Sequence, residues 1–375
     1  MTHLVRDSKS TDANRITADE FDTLRLEQFS DLLEDGLLLV DFSQTIIFAN
    51  APASKLLGQE LVNRALSIAL PDMSFDDIFN NIKTRKRPHE FLYSYQKKLY
   101  RQFRIKLMPM GDAHVGVLIM DMTLQRNLDK VRRDFVANVS HELRSPLTSL
   151  IGFIETLQGD DEIERDDQAR FLSIMDEEAK RMTRLIDDLI SLSRVEVEEH
   201  ILPNEHVRLD EVIASVVAIL HDRASKQDMT ISFVNHIKEG VALIQGDVDE
   251  IVEVFHNLIE NAIKYGFQNS DITITLEQQD AQQSRQVVAC VTNFGEGIEE
   301  RHIPRLTERF YRVDKARSRQ KGGTGLGLAI VKHIVNRHRG DMTITSVVDD
   351  SVVGTNVNAK TTCFAITLPR LNAKS

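Results

Sequence analysis

The 375-residue sequence predicts a multidomain α+β protein made of a small α+β domain, a two-helix hairpin and an α/β sandwich. Three observations carry this reading. Short β-rich runs, one of them alternating in period two, lie with helical stretches between residues 26 and 122. Apolar residues recur every three or four residues from 123 to 197, and helix-period and strand-period runs interleave from 207 to 371. Residues 1–25 are polar without an apolar period, and 198–206 is a polar linker containing Pro203.

In the first folded part, "GLLLVDFSQTIIFAN" (36–50) gives two short strands around the turn residues 41–44, and helical stretches follow near 51–58 and 75–85. "QFRIKLMPM" alternates Phe103, Ile105 and Leu107, and "HVGVLIMDMT" is another strand, so an antiparallel sheet is expected. Asp121 and Thr123 sit where a helix N-cap belongs. Leu124, Leu128, Val131 and Phe135 then form a short coiled-coil seam leading into "DFVANVSHELRSPLTSLIGFIETL" (134–157). After the loop "QGDDEIERDD", a helix from about 167 to 197 puts Phe171, Ile174, Met175, Met182, Leu185, Ile186 and Leu189 on one face. A lone hairpin cannot close such a stripe, so two chains are expected to pair into a four-helix bundle, making a homodimer. The last part mixes the helices "VDEIVEVFHNLIENAIKYG" and "GLGLAIVKHIVNRHRG" with the strands "MTISFV", "DITITLEQ", "QVVACVTN", "DMTITSV" and "TTCFAITLP".

Composition narrows the function. The formal charge of −11 leaves no general positive field for phosphate backbones, and no dense basic run supplies one locally, so direct nucleic-acid binding is not expected. The two cysteines, Cys290 and Cys363, lie in apolar strand-like runs and read as buried thiols of a reducing compartment rather than a disulfide. The longest apolar stretches, 212–220 and 115–120, are far short of the roughly 20 residues a membrane helix needs. The polar start has no signal-peptide core. A cytoplasmic location without a membrane span is the expectation.

Three stretches carry chemistry. Near neutral pH much of an imidazole with a pKa of about 6.5 is uncharged, so His141 can attack phosphorus while Glu142 beside it takes the proton from the other ring nitrogen. Pro146 removes the helical partner of the Glu142 carbonyl, which predicts a loosened turn around the histidine. The same heptapeptide equally suits an ordinary kinked helix with a surface His–Glu pair. In "HNLIENAIKYG", Asn257, Asn261 and Lys264 share a helix face, where carboxamide oxygens can ligate Mg²⁺ and the lysine can neutralise phosphate. An amphipathic helix with a solvated polar face explains that pattern as well. "NFGEGIEE" and "GGTGLGLAIVKHI" bring glycines 295, 297, 322, 323, 325 and 327, which allow tight backbone turns and a helix start with free N–H groups. Neither is a Walker loop nor a dinucleotide fingerprint. Between them, Phe310 and Tyr311 are placed to pack under a lid whose basic residues can approach a triphosphate.

Taken in order, "HELRSPL", "NLIENAIKYG", "NFGEGI", "TERFYR" and "GGTGLGLAIVKH" resemble the phosphoacceptor, N, first glycine, F and second glycine boxes of the sensor histidine kinases of two-component systems. The resemblance spans residues 121–371 and is most similar to the phosphate-regulon sensor kinases. The preceding region resembles a PAS sensor domain, with "MDMT" at its exit. The resemblance implies a PAS-like domain, a dimerising phosphotransfer hairpin and a sandwich of the GHKL ATPase type. His141 would take the γ-phosphoryl of ATP with Glu142 as base, and an aspartate in the receiver domain of a response regulator would receive it. Asn261 would hold Mg²⁺, Asn257 and Lys264 would lie near the phosphates, and Tyr265 beside the nucleotide. Asn293, Gly295, Gly297, Gly323, Thr324, Gly325, Leu326 and Gly327 would frame adenine and the lid.

The sequence departs from the family at three points. Asn293 stands where an adenine-reading aspartate is usual, so a charge-assisted hydrogen bond becomes a neutral one, about half as strong. Ser145 replaces the Thr or Asn associated with dephosphorylating the partner, keeping a hydroxyl able to orient water. The membrane helices with which phosphate-type relatives generally begin are absent, which reads as a soluble or truncated version. Two other readings stand beside the kinase. One is a scaffold or partner-directed phosphatase weakened at Asn293. The other is an ATP-driven clamp, for which the histidine helix would have no purpose. For the PAS-like part, the absence of cysteine and the unligand-like settings of His89 and His114 leave dimerisation and docking as its expected work.

Overall fold

The computed structural model describes residues 30–371 apart from 59, 72, 97–99, 160–162, 238–240, 282–283, 315–321 and 349–358. The polar segment 1–25 lies outside them. The chain forms two compact units that meet in sequence between Asp134 and Phe135.

The first unit contains β1 (Gly36–Asp41), β2 (Ile46–Ala49), α1 (Ala51–Leu57), α2 (Leu66–Ala69), α3 (Asp76–Arg85), β3 (His89–Gln96), β4 (Tyr100–Met110) and β5 (His114–Asp121). Its strands run in the order β2-β1-β5-β4-β3, every neighbouring pair antiparallel, as the alternating pattern predicts. Leu38 and Val40, Phe103, Ile105 and Leu107, and Val115, Val117 and Ile119 all face one core with Phe75, Phe79 and Ile82. β3 carries no aliphatic alternation to announce it, because its core-facing residues are Tyr93 and Tyr95 while Leu92 points to solvent.

Asn50 organises the entry to α1. Its Oδ1 accepts from the Ala53 and Leu37 N–H groups (3.0 and 2.8 Å), and its Nδ2 donates to the Ser30 and Asp35 carbonyls (2.8 and 3.1 Å). Its four bonds therefore cap the helix and tie it to β1 and the chain before it.

The helix α4 (Thr123–Gly159) begins where the capping residues predict, with the Thr123 N–H donating to Asp121 Oδ1 at 2.9 Å. It corrects one expectation: the helix runs through Pro146 without interruption. A proline deletes one bond of the ladder, but this ring is buried and the flanking turns of a 37-residue helix keep theirs. With α5 (Arg165–Glu198) it makes the expected hairpin, closed by stacking of Phe153 on Phe171 with ring centres 5.3 Å apart. Leu147, Ile151, Ile154, Leu172, Ile186 and Ile190 remain exposed on this single chain.

The sandwich follows. The stretch read as a linker turns into strand at Glu205, where β6 (Glu205–Arg208) pairs with β8 (Leu243–Gly246). These four-residue strands are too short to show a period. The main sheet orders β11 (Asp341–Val348), β12 (Lys360–Pro369), β10 (Ser284–Gly295), β9 (Asp271–Ala281) and β7 (Thr230–Asn235), with β7 and β9 parallel and the other pairs antiparallel. One apolar cluster joins α6 (Leu209–Ser225), α7 (Val248–Tyr265) and α8 (Gly327–Arg337) to Ile272, Ile274, Leu276, Val287, Ala289, Val291, Phe364, Ile366 and Leu368.

That alternation overturns the reading of the cysteines. Because Ala289 and Val291 and their partners Phe364 and Ile366 point inward, Cys290 and Cys363 fall half-buried on the opposite sheet face. There they are joined as a disulfide, not held as buried thiols.

Candidate functional site

The site begins with α7. Asp247 caps it by accepting from the Glu250 N–H at 3.2 Å, and Ile251, Val254, Phe255, Leu258, Ile259 and Ala262 bury one face. The opposite face presents Glu253, His256, Asn257, Glu260, Asn261, Lys264 and Tyr265 to a cavity of about 520 Å³. That size suits a nucleotide-sized molecule. The other walls come from Asn293 and the Gly295–Ile298 turn, from residues 311–314, from Gly322–Gly325, from Gly327 and Leu328 at the start of α8, and from Thr362 and Phe364. Residues 315–321, which include basic residues expected of the lid, lie outside the described residues.

Two glycines shape the cavity wall. A Cβ on Gly327 would come within 2.6 Å of Asn257 Oδ1, so a larger residue there would displace the Asn257 carboxamide. Gly325 has φ +77°, and a Cβ there would also meet the Phe310 backbone at 3.0 Å. The turn after Gly297 is held by the Ile298 N–H donating to Ser346 Oγ at 2.9 Å, and Ser346 Oγ lies 3.0 Å from Thr362 Oγ1.

Asn293 is buried, and among the described residues no hydrogen bond occupies its carboxamide. Asn257 Nδ2 donates to the Glu253 carbonyl at 3.1 Å. Lys264 Nζ lies 3.0 Å from Glu260 Oε2, and Arg223 pairs with the same carboxylate at 2.6 Å. Burial pushes the Glu260 carboxyl up, but Lys264 and Arg223 outweigh it and hold it below the ordinary range. One expected residue stands apart: the Leu326 side chain is fully buried in the apolar core rather than lining the cavity.

His141 and Ser145 are exposed on α4 and outside the cavity wall. Glu142 is linked to that wall. Its Oε2 lies 3.0 Å from Arg181 of α5 and 3.2 Å from Arg312, which lines the cavity and donates to the Thr324 carbonyl at 2.6 Å. Burial lowers the Arg312 pKa against the pull of Glu142.

Sequence reasoning missed the contribution of α5. Asp188 enters the cavity and accepts from Thr324 Oγ1 at 2.6 Å, while burial, with Glu253 nearby, pushes its carboxyl upward. Arg184 lines the cavity one turn before it. Ser191 Oγ donates to Glu253 at 2.6 Å, Arg309 pairs with Glu196, and His333 Nδ1 lies 2.8 Å from Glu199. Phe310 packs on Phe135 of α4 with ring centres 5.9 Å apart, so this aromatic serves the hairpin contact, while Tyr311 lines the cavity. In "RLIDDLISLSR" Arg184, Asp188 and Ser191 look like the solvated face of an amphipathic helix, and no local signal separates them from it.

Two family models match the chain: the His Kinase A (phospho-acceptor) domain over residues 131–198, and the histidine kinase-, DNA gyrase B- and HSP90-like ATPase over residues 246–372. The phosphate regulon sensor protein PhoR of Pseudomonas aeruginosa is 34% identical over 86% of this chain and 71% of its own length. The sensor histidine kinase WalK of Bacillus subtilis is 30% identical over 92% of this chain and 56% of its own. Among solved structures, histidine kinase ThkA in complex with response regulator protein TrrA is similar at a TM-score of 0.49 and 21% identity, covering 93% of this chain and 99% of that one. With the paired phospho-acceptor and ATPase domains and a relative of this identity and coverage, the chain belongs to the sensor histidine kinases of two-component systems.

Proposed function

We propose that the protein phosphorylates itself on His141 with ATP and passes the phosphoryl group to an aspartate in the receiver domain of a response regulator. The observation that carries this reading is the Arg312 bridge, which joins the carboxylate beside the histidine to the wall of the nucleotide cavity. ATP suits the donor set: the cavity is large enough, Asn293 offers a carboxamide with no hydrogen bond among the described residues, and Arg184, Arg223, Lys264 and Arg312 supply positive charge. Asn261 is the residue that would hold Mg²⁺, which would supply charge neutralisation at the transferring phosphoryl group, with Asn257 and Lys264 near the phosphates.

The His141 nitrogen attacks the γ-phosphorus, the bond to the β,γ-bridging oxygen breaks, and ADP leaves. Glu142 accepts the proton released from the ring. In the structure two guanidiniums hold that carboxylate, so Glu142 must leave Arg181 and Arg312 before it can act. Arg312 is then free to meet the phosphates, and exchanging one anion for the other keeps its buried charge paired.

The exposed apolar residues of α4 and α5 support a homodimer closed as a four-helix bundle, and the β2-β1-β5-β4-β3 sheet supports a PAS-like domain in the first unit. No helix among the described residues is long and apolar enough to cross a membrane, and a cytoplasmic location is part of this reading. The similarity to PhoR supports a phosphate-responsive system, and exposed Ser145 supports dephosphorylation of the partner by orienting water.

Incubation with Mg·ATP should label the chain through an acid-labile, base-stable bond. His141→Gln should abolish labelling while nucleotide still binds. Label that persists in this variant places the phosphoacceptor elsewhere. If neither form binds nucleotide, the scaffold reading takes its place.

A further inference from the structure

The chain's only two cysteines lie on neighbouring strands of the sheet whose opposite face packs against the helices. Register pairs Cys290 with Ala365 and Thr292 with Cys363, so the two cysteines are diagonal neighbours on one face, with Cα atoms 6.2 Å apart. That separation lies within the span a disulfide bridges. The ladder between β10 and β12 runs from Gln286↔Pro369 to Gly295↔Lys360, so their backbones are held in place whether or not the sulfurs are bonded. Both residues are half-buried, which leaves a small reagent a way in. From this juxtaposition we propose that Cys290 and Cys363 form a reversible thiol–disulfide site that reacts with low-molecular-weight disulfides of the glutathione class.

The exchange balances without a further reagent. The thiolate of one cysteine attacks a sulfur of oxidised glutathione, forming a mixed disulfide and releasing one glutathione thiolate. The second cysteine, deprotonated, attacks the protein sulfur of that mixed disulfide and releases the other glutathione. Two protein thiols are oxidised, one glutathione disulfide is reduced to two thiols, and the two protein protons go to the departing thiolates. Reduced glutathione in excess reverses both steps.

The position gives the bond a consequence. Asn293 and Thr362 are register partners on the same two strands and line the nucleotide cavity. The 73-residue separation encloses the glycine-rich loop, α8 and β11. Oxidation therefore staples the strands behind the cavity and closes a 73-residue loop, which restricts the unfolded chain. The inference is independent of phosphoryl transfer.

The test uses the full chain, incubated with excess oxidised glutathione or with reduced glutathione, then alkylated with N-ethylmaleimide and digested without reduction. An intrachain Cys290–Cys363 peptide should form in the first condition and disappear in the second. The sandwich should melt roughly 5 to 10 °C higher when oxidised. Cys363→Ser should retain one glutathione on Cys290 and lose the rise in melting temperature. Two freely alkylated cysteines after oxidised glutathione, a link between chains, or an internal link that excess reduced glutathione cannot open would each overturn the proposal. The peptide assay on the unaltered chain stands even if the variant folds poorly.

Discussion

The two units bury polar groups in opposite ways. In the first, Asn50 is buried and spends its carboxamide on four backbone partners, so it is a structural clasp. In the second, Asn293 is also buried but faces a cavity, with no hydrogen bond to its carboxamide among the described residues, and Glu250 of α7 and Arg337 of α8 form a buried ion pair beside His338. The same side chain is a fold determinant in one place and, in the function proposed above, a binding determinant in the other. What separates them is where the hydrogen bonds go.

The strongest way to break this contrast is to remove the clasp. Asn50→Ala leaves the Leu37 and Ala53 N–H groups and two carbonyls without their partner and removes a helix cap. It should cost the first unit about 2 to 4 kcal/mol. Hydrogen exchange of amides in β1 and α1 would report it, and a loss below about 0.5 kcal/mol would mean water replaces the clasp without penalty.

A smaller change should sharpen the other side. Asn293→Asp should tighten ATP by about 1 to 2 kcal/mol, roughly five- to thirty-fold, because one buried hydrogen bond becomes charge-assisted. Titration calorimetry at fixed Mg²⁺ decides. Weaker binding would show that the cavity is built around the neutral amide, where a carboxylate is desolvated without compensation.

The smallest effect concerns His338. Its Nε2 accepts from the Asp247 N–H at 3.0 Å, and its Nδ1 lies 2.8 Å from the Ile334 carbonyl, an arrangement made by the neutral ring with the proton on Nδ1. Burial lowers its pKa, with Arg337 acting in the same direction and Asp247 opposing. The unfolded chain therefore takes up this proton first as pH falls. The contribution to stability is complete above the ordinary value of 6.5 and is lost as pH drops toward the lowered folded value. Glu250 works the other way, since burial raises its carboxyl and its protonation favours the folded state at lower pH. Exchange protection of α7 and α8 should fall as the pH drops below 6.5, and His338→Gln should flatten that fall. An unchanged slope in the variant would assign the loss to another group.

Much of this molecule was legible in the sequence. The alternation of Phe103, Ile105 and Leu107 placed β4, and the polar face of α7 brought Asn257, Asn261 and Lys264 to one cavity. β3 was hidden because its inward residues are tyrosines, and β6 and β8 because four residues are too few to show a period. Pro146 was overread: a proline states which hydrogen bond is lost, not whether the surrounding helix yields.

The sequence by itself determined the three periodic regions, the order of the glycine and asparagine motifs, and the carboxylate beside His141, because these depend on neighbours three or four residues away or on side-chain chemistry alone. Only the tertiary structure decided that Asp188 meets Thr324, that Arg312 holds Glu142, and that Cys290 reaches Cys363. Each of these contacts joins residues tens to more than a hundred positions apart, and their approach is set by how helices and strands pack and register, which local periodicity does not encode.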